Sequence, residues 1–252
     1  MKKTMYYKSY EDDLVTSKNQ NLKLKENYKW IHHNLFYNIL SYLIYYIFLV
    51  VAILYTKLFL HVKIKNKKAL KGYKGYYVYG NHTQELGDVL SPLLYTFPTR
   101  PYAVCSPANL GIPLLGKILP LLGALPIPDS ISKLKIFKDA ISQRIHMGKC
   151  VVIYPEAHLW PYYTNIREFP NTSFHFPVDD NAIIFCATTT YAKRKLGRKP
   201  KITIYIDGPF GVDEKLSRKE NINMLHDKVY DIMLERSASS NYKYIDYKKI
   251  DK

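Results

Sequence analysis

The stretch Tyr76-Tyr-Val-Tyr-Gly-Asn-His-Thr-Gln-Glu-Leu-Gly-Asp88 joins a short apolar run to a cluster of polar and ionisable residues. Its first four residues predict a buried strand, and Gly80 marks the point where that strand ends. The polar residues that follow are Asn81, His82, Glu85 and Asp88. In α/β proteins, chemistry is concentrated in the crevice at the carboxyl ends of the strands. The stretch therefore predicts a candidate site at the end of a buried strand.

His82 is the residue of this stretch that can take up and release a proton near neutral pH. A neighbouring carboxylate, from Asp88 or Glu85, would fix the tautomer of the imidazole and stabilise its charged form. A strand-to-helix turn with polar capping residues is the alternative interpretation. The spacing alone does not separate the two.

The composition indicates a globular protein with a strong positive charge. The 252 residues are 47% hydrophobic and carry a formal net charge of +16, which favours a polyanionic partner. Because the lysines are densest beside an apolar segment, an anionic membrane surface fits better than a nucleic acid. The cysteines lie far apart in or beside apolar runs, which predicts buried, reduced thiols and no metal site; they are Cys105, Cys150 and Cys186.

Residues 35–60 form a long apolar run that contains one charged residue, Lys57. The run is long enough to cross a bilayer, which takes about 20 residues in a helix. Its recurring tyrosines favour the membrane interface, so a spanning helix and a helix lying in one leaflet are both open. A buried helix of a soluble core is a third interpretation, which the length disfavours.

The lysines after this run set the predicted orientation. Seven lysines lie between residues 57 and 74, and no acidic residue follows the run before Glu85. The positive-inside rule therefore predicts that the following domain faces the cytoplasm, and the lysines can contact anionic headgroups. A solvated, charged linker is the alternative for this segment.

Beyond residue 75, strand-like and helical segments alternate, which predicts an α/β domain. The predicted strands cover residues 76–79, 102–105, 124–127, 150–154, 182–187 and 202–206. The predicted helices cover residues 89–95, 111–122, 131–146 and 213–237. The chain thus divides into a polar leader at 1–34, expected to be mobile or loosely helical, a membrane-associated helical segment at 35–62, an α/β domain at 63–237 and a basic tail at 238–252.

A second polar cluster follows the strand predicted at residues 150–154. Pro155, Glu156 and His158 come directly after it, and in an α/β sheet they can share one crevice with His82. The sequence contains neither a Gly-Lys-Ser/Thr phosphate loop nor a Gly-x-Ser-x-Gly elbow, which disfavours nucleotide hydrolysis and serine hydrolysis. An acyl transfer that uses the acceptor's own hydroxyl as the nucleophile needs neither motif.

Asn81-His82 with Asp88, followed by Tyr154-Pro155-Glu156 after an apolar stretch, resembles the lysophosphatidic acid acyltransferase (glycerolipid acyltransferase) family. That family carries Asn-His-x4-Asp in its first block and Phe-Pro-Glu-Gly-Thr in its third. The resemblance runs from about Lys71 to Phe210. It implies a mixed sheet flanked by helices and a membrane-bound enzyme of phospholipid biosynthesis. Such an enzyme moves a fatty acyl group from a thioester to the hydroxyl of a lysophospholipid or related lipid.

The resemblance also implies roles for individual residues. By position, His82 corresponds to the catalytic base and Asp88 to the carboxylate that orients it. The residues implied in substrate binding are Asn81, Pro155, Glu156 and His158. The family implies no metal and no redox cofactor, with acyl-CoA or an acyl-carrier protein as co-substrate. The expected partners are membrane lipids and a lysolipid acceptor, with no nucleic acid, and the oligomeric state is open.

The sequence departs from the family pattern in each block. Five residues separate His82 from Asp88 where the family has four, and Gly87 stands at the expected aspartate position. A bulge at this glycine would return Asp88 to His82, and Glu85 is the other candidate. The second block lacks its arginine, and Ala157-His158-Leu159 replaces Gly-Thr-Arg. Because arginine is suited to bidentate phosphate binding, these departures raise two alternatives: an acceptor without a phosphate, and an inactive lipid-binding relative.

Overall fold

The computed structural model describes residues 3–15, 21–194, 197 and 199–250; the remaining positions of the predicted leader, α/β domain and tail lie outside the described residues. The main sheet contains β2 (Lys63–Lys65), β3 (Tyr76–Gly80), β4 (Pro101–Cys105), β5 (Ala124–Pro126), β6 (Cys150–Ile153), β7 (Ile183–Ala192) and β8 (Lys201–Phe210). A second sheet pairs β1 (Lys3–Tyr7) with β9 (Ile245–Lys249). The α-helices are α1 (Leu35–Leu54), α2 (Gly87–Tyr95), α3 (Leu115–Leu122), α4 (Ile131–His146), α5 (His175–Asp179) and α6 (Arg218–Ser237).

The main sheet is mixed, with the strand order β2-β8-β7-β3-β6-β4-β5. All neighbouring strands run parallel except β7 and β8, which pair antiparallel. Because β3, β6 and β7 point the same way, the residues that follow β3 and β6 come to one edge of the sheet. The pairing of Tyr79 with Ile153 puts the two predicted polar clusters side by side at that edge.

The central strand β3 is buried on both faces, as a continuous apolar run in a parallel sheet predicts. Tyr77 and Tyr79 pack into the core on the face covered by α4 and α6. Tyr76 and Val78 pack into the core on the opposite face, which the end of α2 covers through Tyr95. The predicted α/β fold, a mixed sheet flanked by helices, is therefore confirmed.

The long apolar helix is also confirmed. α1 continues through a π-helical turn at Tyr55–Leu60, and this helix of 26 residues is apolar and long enough to cross a membrane. Its buried residues recur every three or four positions and form one continuous stripe, which packs against α2 and α3. The stripe consists of Ser41, Tyr45, Leu49, Ala52, Thr56 and Leu60. Most of the remaining helix surface is exposed and apolar.

The polar leader differs from its prediction where the structure describes it. Residues 3–7 form a strand, not a loose helix, and pair in parallel with the tail strand β9. Leu24 and Trp30 are 5% exposed and belong to the main core, and the Trp30 indole donates a hydrogen bond to the Pro126 carbonyl. Isolated apolar residues in a polar stretch form no periodic pattern, so the sequence does not predict their burial. The burial depends on contacts with residues that are distant in the sequence.

Three other segments differ from the sequence prediction. The lysine-rich segment, for which a charged linker was the alternative to contact with headgroups, contains the edge strand β2, where Ile64 packs against the core and the flanking lysines are exposed. Lysines on an edge strand disfavour further strand pairing. β7 and β8 extend beyond their predicted apolar runs, and the β-branched threonines Thr188–Thr190 continue β7 as buried residues.

Candidate functional site

The two ionisable residues of the opening stretch are in direct contact. The Nδ1 atom of His82 lies 2.9 Å from Oδ2 of Asp88. The same carboxylate oxygen accepts hydrogen bonds from the backbone N–H groups of Thr83 and Gln84, each at 2.8 Å. Asp88 lies in the first turn of α2 and is 5% exposed, so the helix dipole also favours its negative charge. The site therefore holds a fixed carboxylate against one ring nitrogen of the histidine.

The turn before α2 explains why the extra residue between His82 and Asp88 is tolerated. The Asp88 N–H donates to the carbonyl of Gln84 at 3.0 Å, which brings the carboxylate back over the turn. A Cβ atom on Gly87 would lie 2.7 Å from Cβ of Gln84, so this tight turn requires glycine. Glu85, the other predicted partner, is exposed, and no described residue donates a hydrogen bond to it.

The second ring nitrogen of His82 is free to react. A carboxylate only accepts hydrogen bonds, so the contact with Asp88 places the proton on Nδ1 and leaves a lone pair on Nε2. No described residue is hydrogen-bonded to Nε2, and the His82 side chain is 24% exposed. Nε2 of the imidazole can therefore accept a proton from a group that approaches from outside the protein.

Glu156 holds the backbone of His82 from inside the protein. Its Oε2 atom accepts the His82 N–H at 2.8 Å, and its Oε1 atom accepts the Arg167 N–H at 2.8 Å. The Arg167 guanidinium lies 3.4 Å from Oε2. Burial raises the pKa of the Glu156 carboxyl, while the Arg167 charge and the two backbone donors act in the opposite direction. Because the Glu156 side chain is fully buried, the geometry favours positioning of His82 over the predicted contact with substrate.

Asn81 and Pro155 are also buried beside His82. The Asn81 amide exchanges two hydrogen bonds with the backbone of Thr189 on β7, at 3.0 and 2.7 Å. All of its described bonds go to the protein, so this side chain fixes the end of β3 against β7. For Asn81 as for Glu156, the geometry favours a structural role over substrate contact.

His158 is partly exposed and lies at the start of the loop after Glu156. Its Nδ1 atom is 2.5 Å from Oδ1 of Asp13 in the leader, and its backbone carbonyl accepts a hydrogen bond from Arg167. His158 therefore joins this loop to the N-terminal segment. Its predicted contact with substrate stays a prediction.

The residue after Glu156 has an unusual backbone conformation. Ala157 has a φ of +60°, in the left-handed region that glycine adopts without steric cost. This is the position at which the Phe-Pro-Glu-Gly-Thr pattern has its glycine.

Three further residues support His82, directly or through Glu156, in ways that were not predicted. The Tyr154 ring stacks on the imidazole, with centroids 4.7 Å apart, and its hydroxyl donates to the Asp88 carbonyl at 2.6 Å. The Trp160 N–H donates to the His82 carbonyl at 3.1 Å. Arg167 completes the set through Glu156. Trp160 and Arg167 lie in the irregular loop after β6, where no periodic pattern indicates which residues they contact.

Exposed apolar residues lie close to Asp88 along the chain. Leu86 and Val89, which flank Asp88 along the chain, are 49% and 46% exposed. α2 packs through Leu90 and Leu93 against the buried stripe of α1. The helix that carries Asp88 is therefore also the helix on which the long apolar helix rests.

Comparisons with known proteins bear on the fold. No family model matches the sequence, and no curated protein matches it. The chain is similar to the crystal structure of the 1-acyl-sn-glycerophosphate (LPA) acyltransferase, PlsC, from Thermotoga maritima, with a TM-score of 0.52 and 13% sequence identity. The similarity covers 83% of this chain and 98% of the Thermotoga chain. At this identity the likeness establishes the fold.

Proposed function

We propose that the protein is an O-acyltransferase that moves a fatty acyl group from a thioester to the hydroxyl of a lysophospholipid or related lipid. The observation that carries the proposal is the His82–Asp88 contact, which leaves Nε2 of His82 unbonded within the described residues and beside an exposed apolar surface. A base in this position suits a substrate that carries a hydroxyl group on an otherwise apolar molecule. The fold that the chain shares with PlsC supports the same class of reaction.

In the proposed reaction, Nε2 of His82 removes the proton of the acceptor hydroxyl as its oxygen attacks the thioester carbonyl. Asp88 stabilises the imidazolium that forms, because its carboxylate already bonds the opposite ring nitrogen. The carbon–sulfur bond then breaks, the ester remains on the acceptor, and the imidazolium returns its proton to the leaving thiolate. The transfer is direct and forms no acyl-enzyme.

We propose that α1 and its π-helical extension lie in one membrane leaflet. The buried stripe runs from Ser41 to Leu60 and keeps the helix against the α/β domain along this length. A helix crossing the bilayer in this arrangement would draw the charged domain into the hydrocarbon layer, which is costly. The exposed apolar face of the helix fits the interior of a single leaflet, and the following lysines fit anionic headgroups on the cytoplasmic side.

An acceptor without a phosphate is the second candidate, and the position of Arg167 favours it. This guanidinium is fully enclosed and bonds Glu156, the His158 carbonyl and the Tyr10 carbonyl. The Arg167 guanidinium is thus occupied by contacts inside the protein, and it is not available for bidentate hydrogen bonds to a substrate phosphate.

The test is acyl transfer by the purified protein in vesicles that contain anionic lipid. Labelled acyl-CoA and labelled acyl-carrier protein are each offered with lysolipids that carry or lack a phosphate. We expect incorporation by the wild type and none above background by His82→Ala, with Glu85→Gln as the exposed control. Equal incorporation by wild type and His82→Ala would refute the assignment of the base. Lysolipid binding without transfer by the wild type would support the non-catalytic alternative.

A further inference from the structure

A small cavity lies between the start of α1 and the strands β4 and β5. Its volume is about 20 Å³, which is room for one water-sized group. The residues of α1 that line it are Tyr37, Asn38 and Ser41, and Tyr102 of β4 also lines it. Lys29 at this cavity is exposed, so the cavity opens to solvent.

Basic side chains surround this cavity. Among the described residues that line it, those that can be charged near neutral pH are Lys29, His32 and Arg144. The Arg100 guanidinium joins them, because it donates a hydrogen bond to the Ser41 hydroxyl at 2.7 Å. Both guanidiniums also lie over the ring of Tyr102, at 5.1 and 4.4 Å from its centroid. Cations from three separate segments of the chain therefore meet at one place.

The two arginines lack a carboxylate partner. Neither forms an ion pair within the described residues, whereas Arg167, Arg218 and Arg236 do. Arg100 is 4% exposed, and the Nε atoms of Arg100 and Arg144 are buried without a hydrogen-bond partner in the described structure. Burying a charge is costly unless it is paired and hydrogen-bonded. Stacking on tyrosine offsets part of this cost, but a ring carries no net charge and leaves the cations unneutralised.

His32 responds to the same cluster. Burial lowers the pKa of His32, and the charges of Arg144 and Lys29 lower it further, because like charges disfavour the protonated imidazole. An anion at the cavity would relieve this repulsion. Guanidinium and ammonium donors suit the oxygens of a phosphate, and the cavity has room for one such oxygen while the rest of the ligand lies outside.

The cavity is separate from the candidate active site. Arg100 directly precedes β4, and Arg144 lies in the last turn of α4, which leads into β6. Both arginines are thus at the edge where the parallel strands begin, whereas His82 follows the end of β3. β3 has five residues with a rise of about 3.3 Å each, so roughly 15 Å separates the two edges. An anion bound at this cavity is not the lipid that reacts at His82.

The neighbouring surface of α1 indicates which phosphate reaches the cavity. In the first turns of α1, Leu35, Phe36 and Ile39 are 69%, 81% and 57% exposed. A helix that lies in one leaflet places such side chains at the boundary of headgroups and acyl chains. Phospholipids carry their phosphate at this boundary, so the basic cavity and the apolar helix surface fit two parts of one lipid molecule.

We propose that this cavity binds the phosphate of one anionic phospholipid, which is held and not converted. Lys29 and Arg144 contact the phosphate, and Arg100 adds the charge of a buried guanidinium. The inference goes beyond acyl transfer and rests on the proposed position of α1 in one leaflet. The lysines after α1 attract any anionic surface, whereas this site selects a single headgroup. Free phosphate shares the recognised chemistry, and the experiment separates the two sources.

The test is titration calorimetry of the full-length protein with lipids that stay monomeric in solution. The probes are dihexanoyl phosphatidylglycerol, dihexanoyl phosphatidylcholine and inorganic phosphate. We expect phosphatidylglycerol to bind, and the other two to bind at least about tenfold more weakly. The basic cluster repels the ammonium group of choline, and inorganic phosphate has no acyl chains to contact α1.

Substitutions at the cavity should weaken the binding of phosphatidylglycerol. We expect Lys29→Gln and Arg144→Gln each to weaken it about tenfold or more, because a charge-assisted hydrogen bond is lost. Arg144→Lys keeps the charge but not the planar guanidinium, and it should also weaken binding. Lys29 is exposed, so its variant keeps the fold even if an Arg144 variant does not. The matched control Lys219→Gln changes an exposed lysine of α6 and should bind as the wild type does, as should His82→Ala.

Four outcomes would overturn the inference: no binding of phosphatidylglycerol, binding that neither Lys29→Gln nor Arg144→Gln weakens, equal weakening by Lys219→Gln, or equally tight binding of phosphatidylcholine or inorganic phosphate. Transfer assays distinguish this failure from failure of the proposed function. Acyl transfer that depends on His82, without binding of phosphatidylglycerol, would remove this site and keep the acyltransferase. Binding that depends on Arg144, without transfer, would keep this site and remove the acyltransferase.

Discussion

The contact between His82 and Asp88 determines the tautomer of the imidazole in the proposed reaction. Asp88→Asn keeps the size of the side chain but replaces a pure acceptor with an amide that also donates, so Nδ1 no longer needs to carry the proton. We expect kcat to fall about 10²–10⁴-fold with KM nearly unchanged. Initial rates with a labelled thioester measure both constants.

Glu85→Gln is the matched control for this substitution. Glu85 lies three residues before Asp88, but it is exposed and accepts no hydrogen bond from the described residues. We expect its kcat to stay within about twofold of the wild type, because surface changes away from a network have small effects. Similar losses in both variants would contradict the assignment of Asp88 as the partner of His82.

Ala157 provides a prediction about stability next to the site. Its φ of +60° costs an alanine about 1–2 kcal/mol relative to a right-handed conformation. Glycine avoids this cost, but it also increases the conformational entropy of the unfolded chain, which offsets part of the gain in stability. We expect Ala157→Gly to raise the free energy of unfolding by about 1 kcal/mol, measured by urea denaturation. Ala140→Gly, inside α4, should lower it. A loss of stability in Ala157→Gly would mean that the loop does not hold this conformation.

At the residue scale, the sequence could identify the reactive histidine but not its supporting contacts. The polar cluster after β3 is a local pattern, and it pointed to His82 directly. The choice between Asp88 and Glu85 depends on the close approach of Gly87 to Gln84, which is a property of the folded turn. The Glu156–Arg167 contact depends on a loop with no regular periodicity, so it becomes visible only in the folded structure.

Among the elements, α1 gives the prediction with the clearest physical basis. Val50 lies on its outward face and is 56% exposed. If this face lies in a leaflet, Val50→Glu places a charge in hydrocarbon at a cost of roughly 2.5–3.5 kcal/mol, or about 10²-fold in partitioning. Vesicle sedimentation at fixed protein concentration measures this loss.

Leu234→Glu is the control for the α1 experiment. Leu234 is 39% exposed on α6, which covers the sheet face that carries Tyr77 and Tyr79, away from the face on which α2 rests. We expect its vesicle binding to match that of the wild type. If Val50→Glu binds vesicles as strongly as Leu234→Glu does, the outward face of α1 is not the membrane surface.

The elements that could be predicted are those whose burial is local in the sequence. The core strands β3 and β6 are continuous apolar runs, and both are buried on two faces as such runs require. β1 and β9 are short and mostly exposed or half-buried, and each is stabilised by a partner strand that is distant in the sequence. The edge strand β2 reads as a charged linker because two of its three residues are lysines.

At the scale of the whole molecule, the reactivity of the cysteines tests whether the core is packed as the structure shows. Cys150 and Cys186 are fully buried on β6 and β7, the strands on either side of β3, and burial raises the pKa of the Cys186 thiol to about 12. Because the pKa of this thiol is higher in the folded than in the unfolded state, the protonated thiol stabilises the fold at pH values below the unfolded pKa. This contribution is lost as the pH rises from about 9 towards 12.

We therefore expect the two buried thiols to resist iodoacetamide at pH 8, because the thiolate is the reactive form. All three cysteines should react after unfolding in urea, and intact mass counts the modified thiols. Burial also raises the pKa of the Cys105 thiol to about 12, but Cys105 is only partly buried, so its access to the reagent should make it the first to react under native conditions. Rapid native modification of Cys186 would contradict the packing of β7 between β3 and β8.

The pairing of the two chain ends links overall stability to the candidate site. β1 and β9 enclose Trp160, whose indole donates to the Asp12 carbonyl at 3.0 Å and whose backbone holds His82. Adjacent tyrosines of β1 provide a matched pair, since the Tyr7 ring contacts Trp160 at 4.7 Å whereas Tyr6 is 57% exposed. Tyr7→Ala should lower the free energy of unfolding by about 2 kcal/mol, less than for a fully buried aromatic residue, and Tyr6→Ala should change it by less than about 0.5 kcal/mol. Urea denaturation measures both variants, and equal values would show that the terminal strands do not pack on the loop that supports His82.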